Sequence, residues 1–342
     1  MACSRYAKYQ SPQKGTVFET RPQFRYDKPV YWDSMSLKTP ILFLVFNRPE
    51  TTRRVFDAIK LAKPARLFVA ADGPRTEIPS DLEKCERTRN ILAEVDWDCQ
   101  VLTLFREKNL GCRKAVSSAI DWFFENVEEG IVLEDDCLPS SSFFEYCQNL
   151  LEFYRHDKRV MQVCGLNVLM QWNGTGHSYF FSNYGPVWGW ASWKRAWKYY
   201  DVDMKVWPEI RQNKIYEDFC QNSEEAKHRL DIYDKVYSRE IDTWDYQWGF
   251  AKMINHGLSI IPSVNLISNI GFTGDATHTT SGDSPYSNMD VLDLCLSLDH
   301  PKYMIRDCAA DMRYLNDFMG VKPAGNSLGM KLHHLLQRAL KS

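Results

Sequence analysis

Charged residues stand directly after three apolar runs in the first half of this 342-residue chain: Arg48, Asp72 and the triplet Glu134-Asp135-Asp136. Ligands of open α/β sheets bind beyond the carboxyl ends of the strands, so these residues are the first candidates for a site. The alternatives are a surface cation for Arg48, a turn residue for Asp72 and a solvated acidic turn for the triplet. Because adjacent carboxylates repel one another, the triplet after a strand favours a divalent cation.

The elements that must position these residues alternate between strand and helix patterns. Continuous apolar runs predict strands buried on both faces at 41–46, 66–71, 101–105 and 130–133. Helical patterns follow at 50–62, from a capping box at 80–83, at 113–126 and at 140–154. This alternation predicts an α/β fold with a mostly parallel, Rossmann-like sheet flanked by helices.

Beyond Val160 the pattern becomes less regular, with glycines interspersed among Trp and Tyr. Helices are predicted at 224–237 and 244–255, and strands at 258–261 and 265–270. Eight of the eleven tryptophans lie between Trp172 and Trp248. Since aromatic faces suit sugars as well as cores, this segment is interpreted as the sugar side of a site.

The composition excludes several classes of protein. Lys and Arg number 42 against 44 Asp and Glu, so no global positive field exists to hold nucleic acid. The ten cysteines form no C-x-x-C pair, which favours free thiols in a reducing compartment. Residues 1–36 contain neither a signal peptide nor a spanning helix, so a cytoplasmic location is expected.

Five motifs in order resemble those of one enzyme family: Val45-Phe-Asn-Arg-Pro49, Ala71-Asp-Gly73, Asn109-Leu-Gly-Cys-Arg-Lys114, Val132-Leu-Glu-Asp-Asp136 and Trp244-Asp-Tyr-Gln-Trp248. Over about residues 39–280, the chain is similar to the GT-A fold nucleotide-sugar glycosyltransferases. The N-acetylglucosaminyltransferase I group and its bacterial relatives are the most similar. The E-D-D element resembles that group's variant of the D-x-D motif.

The resemblance implies roles for the residues at the strand ends. Arg48 and Asp72 match the family's nucleotide contacts. Asp136 matches the direct Mn²⁺ (or Mg²⁺) ligand, while Asp135 and Glu134 match the residues that reach the ribose and the donor sugar. A metal there would neutralise the charge that grows on the leaving diphosphate.

Further residues are assigned in the same way. Asp245 in W-D-Y-Q-W resembles the family's catalytic base. The motif departs from the family's W-D-D-W, so Asp242 is a rival for this role. The alternative for Asp245 is that it caps its helix. Arg113 would assist with the nucleotide or lie at a solvated helix start. His278, in a Gly/Thr loop, would add a metal or phosphate contact or be a surface residue. Trp190 would line the sugar pocket or pack in the core.

The implied function is metal-dependent, inverting transfer of a sugar from a UDP-sugar to a carbohydrate acceptor, either a glycan or a lipid-linked saccharide. A sugar nucleotidyltransferase is one alternative, which should carry a Gly-rich phosphate loop after the first strand. A non-catalytic carbohydrate-binding protein of the same fold is another.

The predicted organisation is an N-terminal arm at 1–39, a nucleotide-sugar-binding half at 40–158, an acceptor half of the same domain at 159–285 and a C-terminal helical extension at 286–342. Residues 326–342 form a basic amphipathic helix in this interpretation. It either packs on the catalytic domain or attaches weakly to an anionic membrane, as a peripheral contact.

Overall fold

The computed structural model describes residues 37–174, 176–272 and 284–322. Strands and helices alternate through the first part: β1 (Ile41–Val45), α1 (Pro49–Ala62), β2 (Arg66–Ala71), α2 (Ser80–Ile91), β3 (Gln100–Phe105), α3 (Gly111–Asn126), β4 (Glu129–Glu134), β5 (Cys137–Pro139) and α4 (Phe143–Phe153). The four predicted strand–helix units are therefore confirmed.

The second part is less regular, as predicted, and its elements are shorter: β6 (Val160–Cys164), β7 (Tyr179–Ser182), β8 (Trp190–Trp193), α5 (Lys194–Trp197), α6 (Trp207–Gln212), α7 (Ser223–Tyr237), α8 (Asp245–Ile254), β9 (Leu258–Pro262), β10 (Ile267–Asn269) and α9 (Cys308–Arg313). The helices predicted at 224–237 and 244–255 correspond to α7 and α8.

One eight-stranded sheet joins the two parts, in the order β3-β2-β1-β4-β8-β6-β9-β7. Strands β3, β2, β1 and β4 are parallel, and β8 pairs antiparallel with both β4 and β6. Strand β9 is parallel to β6 and antiparallel to β7. The α/β class and the mostly parallel, Rossmann-like sheet flanked by helices are confirmed.

Strand β1 shows why the apolar runs form central strands. All five of its residues are buried. Ile41, Phe43 and Val45 pack with α1 and α4 on one face, whereas Leu42 and Leu44 pack with α3 on the other. Because successive side chains alternate between faces, a strand covered by helices on both sides must be apolar throughout.

The capping box predicted at 80–83 is wrong in its detail. Helix α2 begins at Ser80, but the capping position is Pro79, and no side-chain cap bond forms within the described residues. The side chain of Asp81 is instead buried and accepts hydrogen bonds from Asn47 and Arg75. A polar contact with the turn after β1 therefore replaces the local cap.

The C-terminal part of the described chain packs along the edge strand β7. The backbone N–H of Asp307 donates to the Phe181 carbonyl at 2.8 Å, and Ser178 N–H donates to the Asp299 carbonyl at 3.0 Å. Residues 1–36 of the arm predicted at 1–39 and the amphipathic helix predicted at 326–342 lie outside the described residues. In the part of the chain that the structure describes, no helix has the length and apolar character needed to cross a membrane.

Candidate active site

The parallel part of the sheet brings three predicted site segments to one edge. Arg48 follows β1, Asp72 follows β2, and Glu134 is the last residue of β4. Since β1 pairs with both β2 and β4 in parallel, the carboxyl ends of these strands are adjacent. The sheet thus places these residues where ligands of open α/β sheets bind.

Arg48 bridges two residues of the acidic triplet. Its Nη1 donates to Asp136 Oδ2 at 2.9 Å, and its Nη2 donates to Asp135 Oδ1. Asp135 also accepts the Phe46 N–H at 3.1 Å. Burial lowers the pKa of Arg48, but the charges of Asp135 and Asp136 outweigh burial and raise it. Arg48 is therefore a resident counterion of the triplet as well as a candidate nucleotide contact.

Glu134 differs from its neighbours because its side chain lines a cavity of about 490 Å³. Burial, followed by the negative charges of Asp136 and Asp135, raises the pKa of Glu134. The charge of Asp245 raises it further, so the two carboxylates interact. Arg48 opposes this shift without cancelling it.

Asp72 organises the loops at the strand ends. Its carboxylate accepts the N–H of Gly73 at 2.9 Å and of Leu110 at 3.0 Å, and the side-chain amide of Asn109 at 3.0 Å. These bonds connect the turn after β2 to the start of α3. A Cβ at Gly73 would stand 2.4 Å from the Lys108 backbone, so only glycine permits this close approach. The nucleotide contact of Asp72 stays a prediction.

Arg113 is buried, and its nearest acidic partner is Asp203, at 3.8 Å. The alternative of a solvated helix start is therefore wrong. The side chain that lines the cavity from this turn of α3 belongs to the neighbouring Cys112, whose thiol has its pKa raised well above the usual range by burial and by Glu134. The predicted role of Arg113 toward the nucleotide stays a prediction.

Asp245 is the first residue of α8 and lines the same cavity as Glu134. Its Oδ1 accepts the Thr243 hydroxyl, and it makes no side-chain cap bond within the described residues. The capping alternative is therefore unsupported. The rival Asp242 is exposed, packs against Gly111 and is not among the cavity-lining residues. The geometry favours Asp245 over Asp242.

The structure corrects the expectation for Trp190. Its ring is fully buried (0% exposed), lies 5.8 Å from the rings of Trp244 and Trp248, and belongs to the core between α3 and α8. It does not line the cavity because its ring is enclosed by the rings of Trp197, Trp244 and Trp248. Trp188 and Trp244 line the cavity instead.

The donor set of the acidic triplet limits the kind of metal site that it could form. Asp136 Oδ2 is bonded to Arg48, while Oδ1 accepts the Cys137 thiol at 3.4 Å. Among the described residues, no three His, Cys, Asp or Glu side chains are grouped to hold a metal. Asp136 therefore fits as one ligand of an ion shared with substrate oxygens, as Mg²⁺ is often held. His278 lies outside the described residues.

Sequence reasoning missed two cations, Arg229 and Lys252, which also line the cavity. Lys252 stands seven residues after Asp245, and helical spacing alone places both on one face of α8. That spacing was the available signal. For Arg229, on α7, no comparable signal exists, because only the packing of α7 against α8 brings it to the site.

No protein-family model and no curated protein matches the chain. The chain is similar to HddC from Yersinia pseudotuberculosis, at 11% identity and a TM-score of 0.28 over 46% of this chain and 77% of that chain. It is also similar to a UDP-glucose pyrophosphorylase complexed with UDP-glucose, at 13% identity and a TM-score of 0.24 over 42% of this chain and 62% of that chain. A third similar structure is a 4-diphosphocytidyl-2C-methyl-D-erythritol synthase from Anaerococcus prevotii, at 8% identity and a TM-score of 0.29 over 51% of this chain and 77% of that chain.

These similarities are weak, and none of the three proteins is described as a glycosyltransferase. They add nothing to the motif resemblance. The function is therefore argued from the geometry of the site.

Proposed function

We propose that the chain is a glycosyltransferase that moves a sugar, with inversion, from a UDP-sugar to a carbohydrate acceptor. One observation carries this proposal: Glu134 and Asp245 line a single cavity at the edge where β1 and β4 end. Arg48, Asp135 and Asp136 form a charged cluster directly beside Glu134. Inverting transfer needs a carboxylate near the acceptor and charged groups near the diphosphate, and this arrangement offers both.

Asp245 is the proposed general base. It would accept the proton of the acceptor hydroxyl as that oxygen attacks the anomeric carbon and the bond to the diphosphate breaks. The Thr243 hydroxyl donates to Asp245 Oδ1 and so fixes the orientation of the carboxylate. The flanking Trp244 and Tyr246 also line the cavity and would enclose the reacting sugar.

The triplet and Arg48 form the proposed donor end. Glu134, which faces the cavity, would contact the donor sugar. The ribose contact of Asp135 stays a prediction, because its buried carboxylate accepts from Arg48 and from the Phe46 N–H and does not line the cavity. Arg48 keeps Asp135 and Asp136 in place through its two hydrogen bonds. A divalent ion bound at Asp136, Mn²⁺ or Mg²⁺, would neutralise negative charge on the departing UDP.

A screen of UDP-sugars for Mn²⁺-dependent donor hydrolysis, followed by transfer to added saccharides, tests the proposal. We expect one UDP-sugar to be consumed with release of UDP, and Asp242→Asn to retain this activity as the matched control. UDP with Mn²⁺ should raise the melting temperature, since ligands that bind the native state stabilise it. Absence of both effects would contradict the proposal.

The same assay separates the alternative of a sugar nucleotidyltransferase. Such an enzyme would release pyrophosphate from a nucleoside triphosphate and a sugar phosphate. The connection between β1 and α1, Phe46-Asn47-Arg48, contains no glycine and so lacks the Gly-rich phosphate loop expected of that class. Pyrophosphate release in place of UDP release would decide for the alternative. Saccharide binding without turnover of any nucleotide would decide for a carbohydrate-binding protein.

A further inference from the structure

One face of α8 presents an acid, a glycine and a cation to the cavity. Asp245, Gly249 and Lys252 are four and three residues apart, a spacing that aligns side chains on one helix face. All three line the cavity. Because an α-helix rises about 1.5 Å per residue, Lys252 lies about 10 Å along the helix from Asp245.

Lys252 is a buried cation whose hydrogen-bond partners are uncharged. It is 1% exposed, and its Nζ donates to Ser259 Oγ at 2.8 Å and to Gln162 Oε1. No carboxylate of the described chain lies within ion-pair distance of it. An ammonium carries three N–H donors, so one remains beyond these two bonds. A buried charge without a counterion is costly, and an anionic ligand would relieve that cost.

Arg229, on α7, adds a second buried cation to the cavity wall. Its Nε reaches Glu225 Oε1 at 3.3 Å and its Nη1 reaches the Tyr233 hydroxyl at 3.4 Å, both long hydrogen bonds. Its Nη2 has no acceptor within the described chain. The other oxygen of Glu225 is shared by the Tyr184 hydroxyl at 2.9 Å and the Gln221 N–H at 2.8 Å.

The two cations therefore outnumber the single acid beside them. Burial, with a smaller contribution from the charge of Arg229, lowers the pKa of Lys252 to about 8, as expected for a buried cation held near another cation. Glu225, also on α7, is fully buried and pairs with Arg229, not with Lys252. This end of the cavity carries a net positive charge, whereas Asp245 and Glu134 make its other end acidic.

Because Gly249 has no side chain, the backbone of α8 is uncovered between Asp245 and Lys252. Apart from its chain neighbours and the backbone of its own helix, no described atom lies within 4 Å of the position that its Cβ would take. A glycine inside a helix costs about 0.5–1 kcal/mol relative to alanine, and no packing of this position explains that cost. Open space over a backbone that spans an acid and a cation suits a ligand that touches both.

We propose that Arg229 and Lys252 form an anion-binding subsite for the acceptor. The acceptor is then a saccharide that carries a carboxylate or a phosphate in addition to the hydroxyl that reacts at Asp245. Gly249 lies under the saccharide between these two groups. This inference rests on the proposed function, because the role of Asp245 defines which end of the ligand reacts.

Calorimetric titration of the full chain, without donor and at fixed ionic strength, tests the subsite. The probes are methyl β-D-glucoside, methyl β-D-glucuronide and glucose 6-phosphate, which are neutral, carboxylated and phosphorylated. We expect at least one charged probe to bind about 10-fold more tightly than the neutral one, since a hydrogen bond to a charged group contributes about 1.5–3 kcal/mol. The better charged probe identifies the anion.

Lys252→Met should abolish this preference, and Lys227→Met should retain it. Lys227 lies on α7, as Arg229 does, but it is exposed and paired with Glu224. Gly249→Leu should weaken binding of the charged saccharides while leaving inorganic phosphate bound, because it fills the gap without removing a cation. Equal affinity of the wild type for all three probes, or a preference that survives Lys252→Met, would overturn the proposal.

Donor binding separates this proposal from the proposed function. UDP with Mn²⁺ should raise the melting temperature of Lys252→Met as much as that of the wild type. A loss of UDP binding in Lys252→Met would place the diphosphate on these cations and overturn the assignment to the acceptor. If UDP fails to bind the wild type while the charged saccharides bind, the proposed function fails and the anion subsite stands.

Discussion

Two walls of the candidate site, the strand ends beside the cavity and the α7–α8 side of the cavity, treat buried charge in opposite ways. At the ends of β1 and β4, Arg48 compensates Asp135 and Asp136 through direct hydrogen bonds. On α7 and α8, Lys252 has only neutral partners, and Arg229 has long bonds. The charges of the first wall compensate one another, whereas the second wall retains positive charge that no carboxylate of the described chain fully compensates. Uncompensated charge in a cavity is where a ligand contributes most.

The largest expected effect concerns the acid on the second wall. Asp245→Asn should lower transfer by about 10²–10⁴-fold, the usual contribution of a general base, while UDP binding is retained. The carboxamide keeps the shape and the Thr243 contact but cannot accept the proton. Steady-state transfer and UDP thermal shifts check this, with Asp242→Asn as the control. Full activity of Asp245→Asn would move the base elsewhere.

Trp190 and Trp188 test whether the aromatics belong to the core or to the site. Trp190→Ala should destabilise the fold by about 3–5 kcal/mol, because a fully buried indole leaves a large cavity. Trp188→Ala should cost much less stability and should weaken saccharide binding, since this ring lines the cavity. Urea unfolding and sugar titration distinguish the two. Similar stabilities of the two variants would contradict the assignment.

Removal of Arg48 tests the compensated wall. Arg48→Met leaves Asp135 buried without its counterion, which should destabilise the protein by about 3 kcal/mol. The double variant Arg48→Met/Asp135→Asn should recover most of that loss, because the buried charge disappears with its partner. Equilibrium urea unfolding measures both. If the double variant is no more stable than the single one, Arg48 acts through packing and not through charge.

The uncompensated wall should appear in the pH dependence of stability. The pKa of Lys252 falls from 10.5 to about 8 on folding, so the unfolded chain binds the proton more tightly. Between these pH values the free energy of unfolding should rise with pH, by up to about 3 kcal/mol from this group. The nearby Arg229 stays charged, and burial raises the pKa of the Cys164 thiol to about 12.

Comparison with Lys252→Met isolates this contribution from other groups that titrate in the same range. The unfolding free energy of the wild type should rise relative to that of the variant as the pH increases from about 8 to 10.5. At neutral pH the variant should be at least as stable as the wild type, since Gln162 keeps its bond from Trp248. A pH-independent difference would contradict the lowered pKa.

The smallest expected effect is at Gly249. Gly249→Ala should raise the free energy of unfolding by about 0.5–1 kcal/mol through helix propensity, since open space receives the methyl group. The affinity of Gly249→Ala for saccharides should not exceed that of the wild type, although the variant is more stable. A destabilised Gly249→Ala would show that the backbone requires glycine there for another reason.

Local patterns determined much of the first half of the molecule. The apolar runs at 41–46 and 66–71 became β1 and β2, and the charged residues after them lie at the sheet edge as predicted. Chain direction in a parallel sheet fixes where strand ends lie, so these positions follow from sequence order alone. Asp245 at the start of α8 was likewise predictable from its motif and helical spacing.

Only the tertiary structure decided how those residues are used. Most tryptophans between Trp172 and Trp248 proved to be core residues, because β8 enters the sheet beside β4 and carries Trp190 and Trp193 inward. The pairing of Arg48 with the triplet and the meeting of α7 with α8 are also contacts between residues distant in sequence. Composition and spacing record which side chains exist, but burial and counterions depend on which segments pack together.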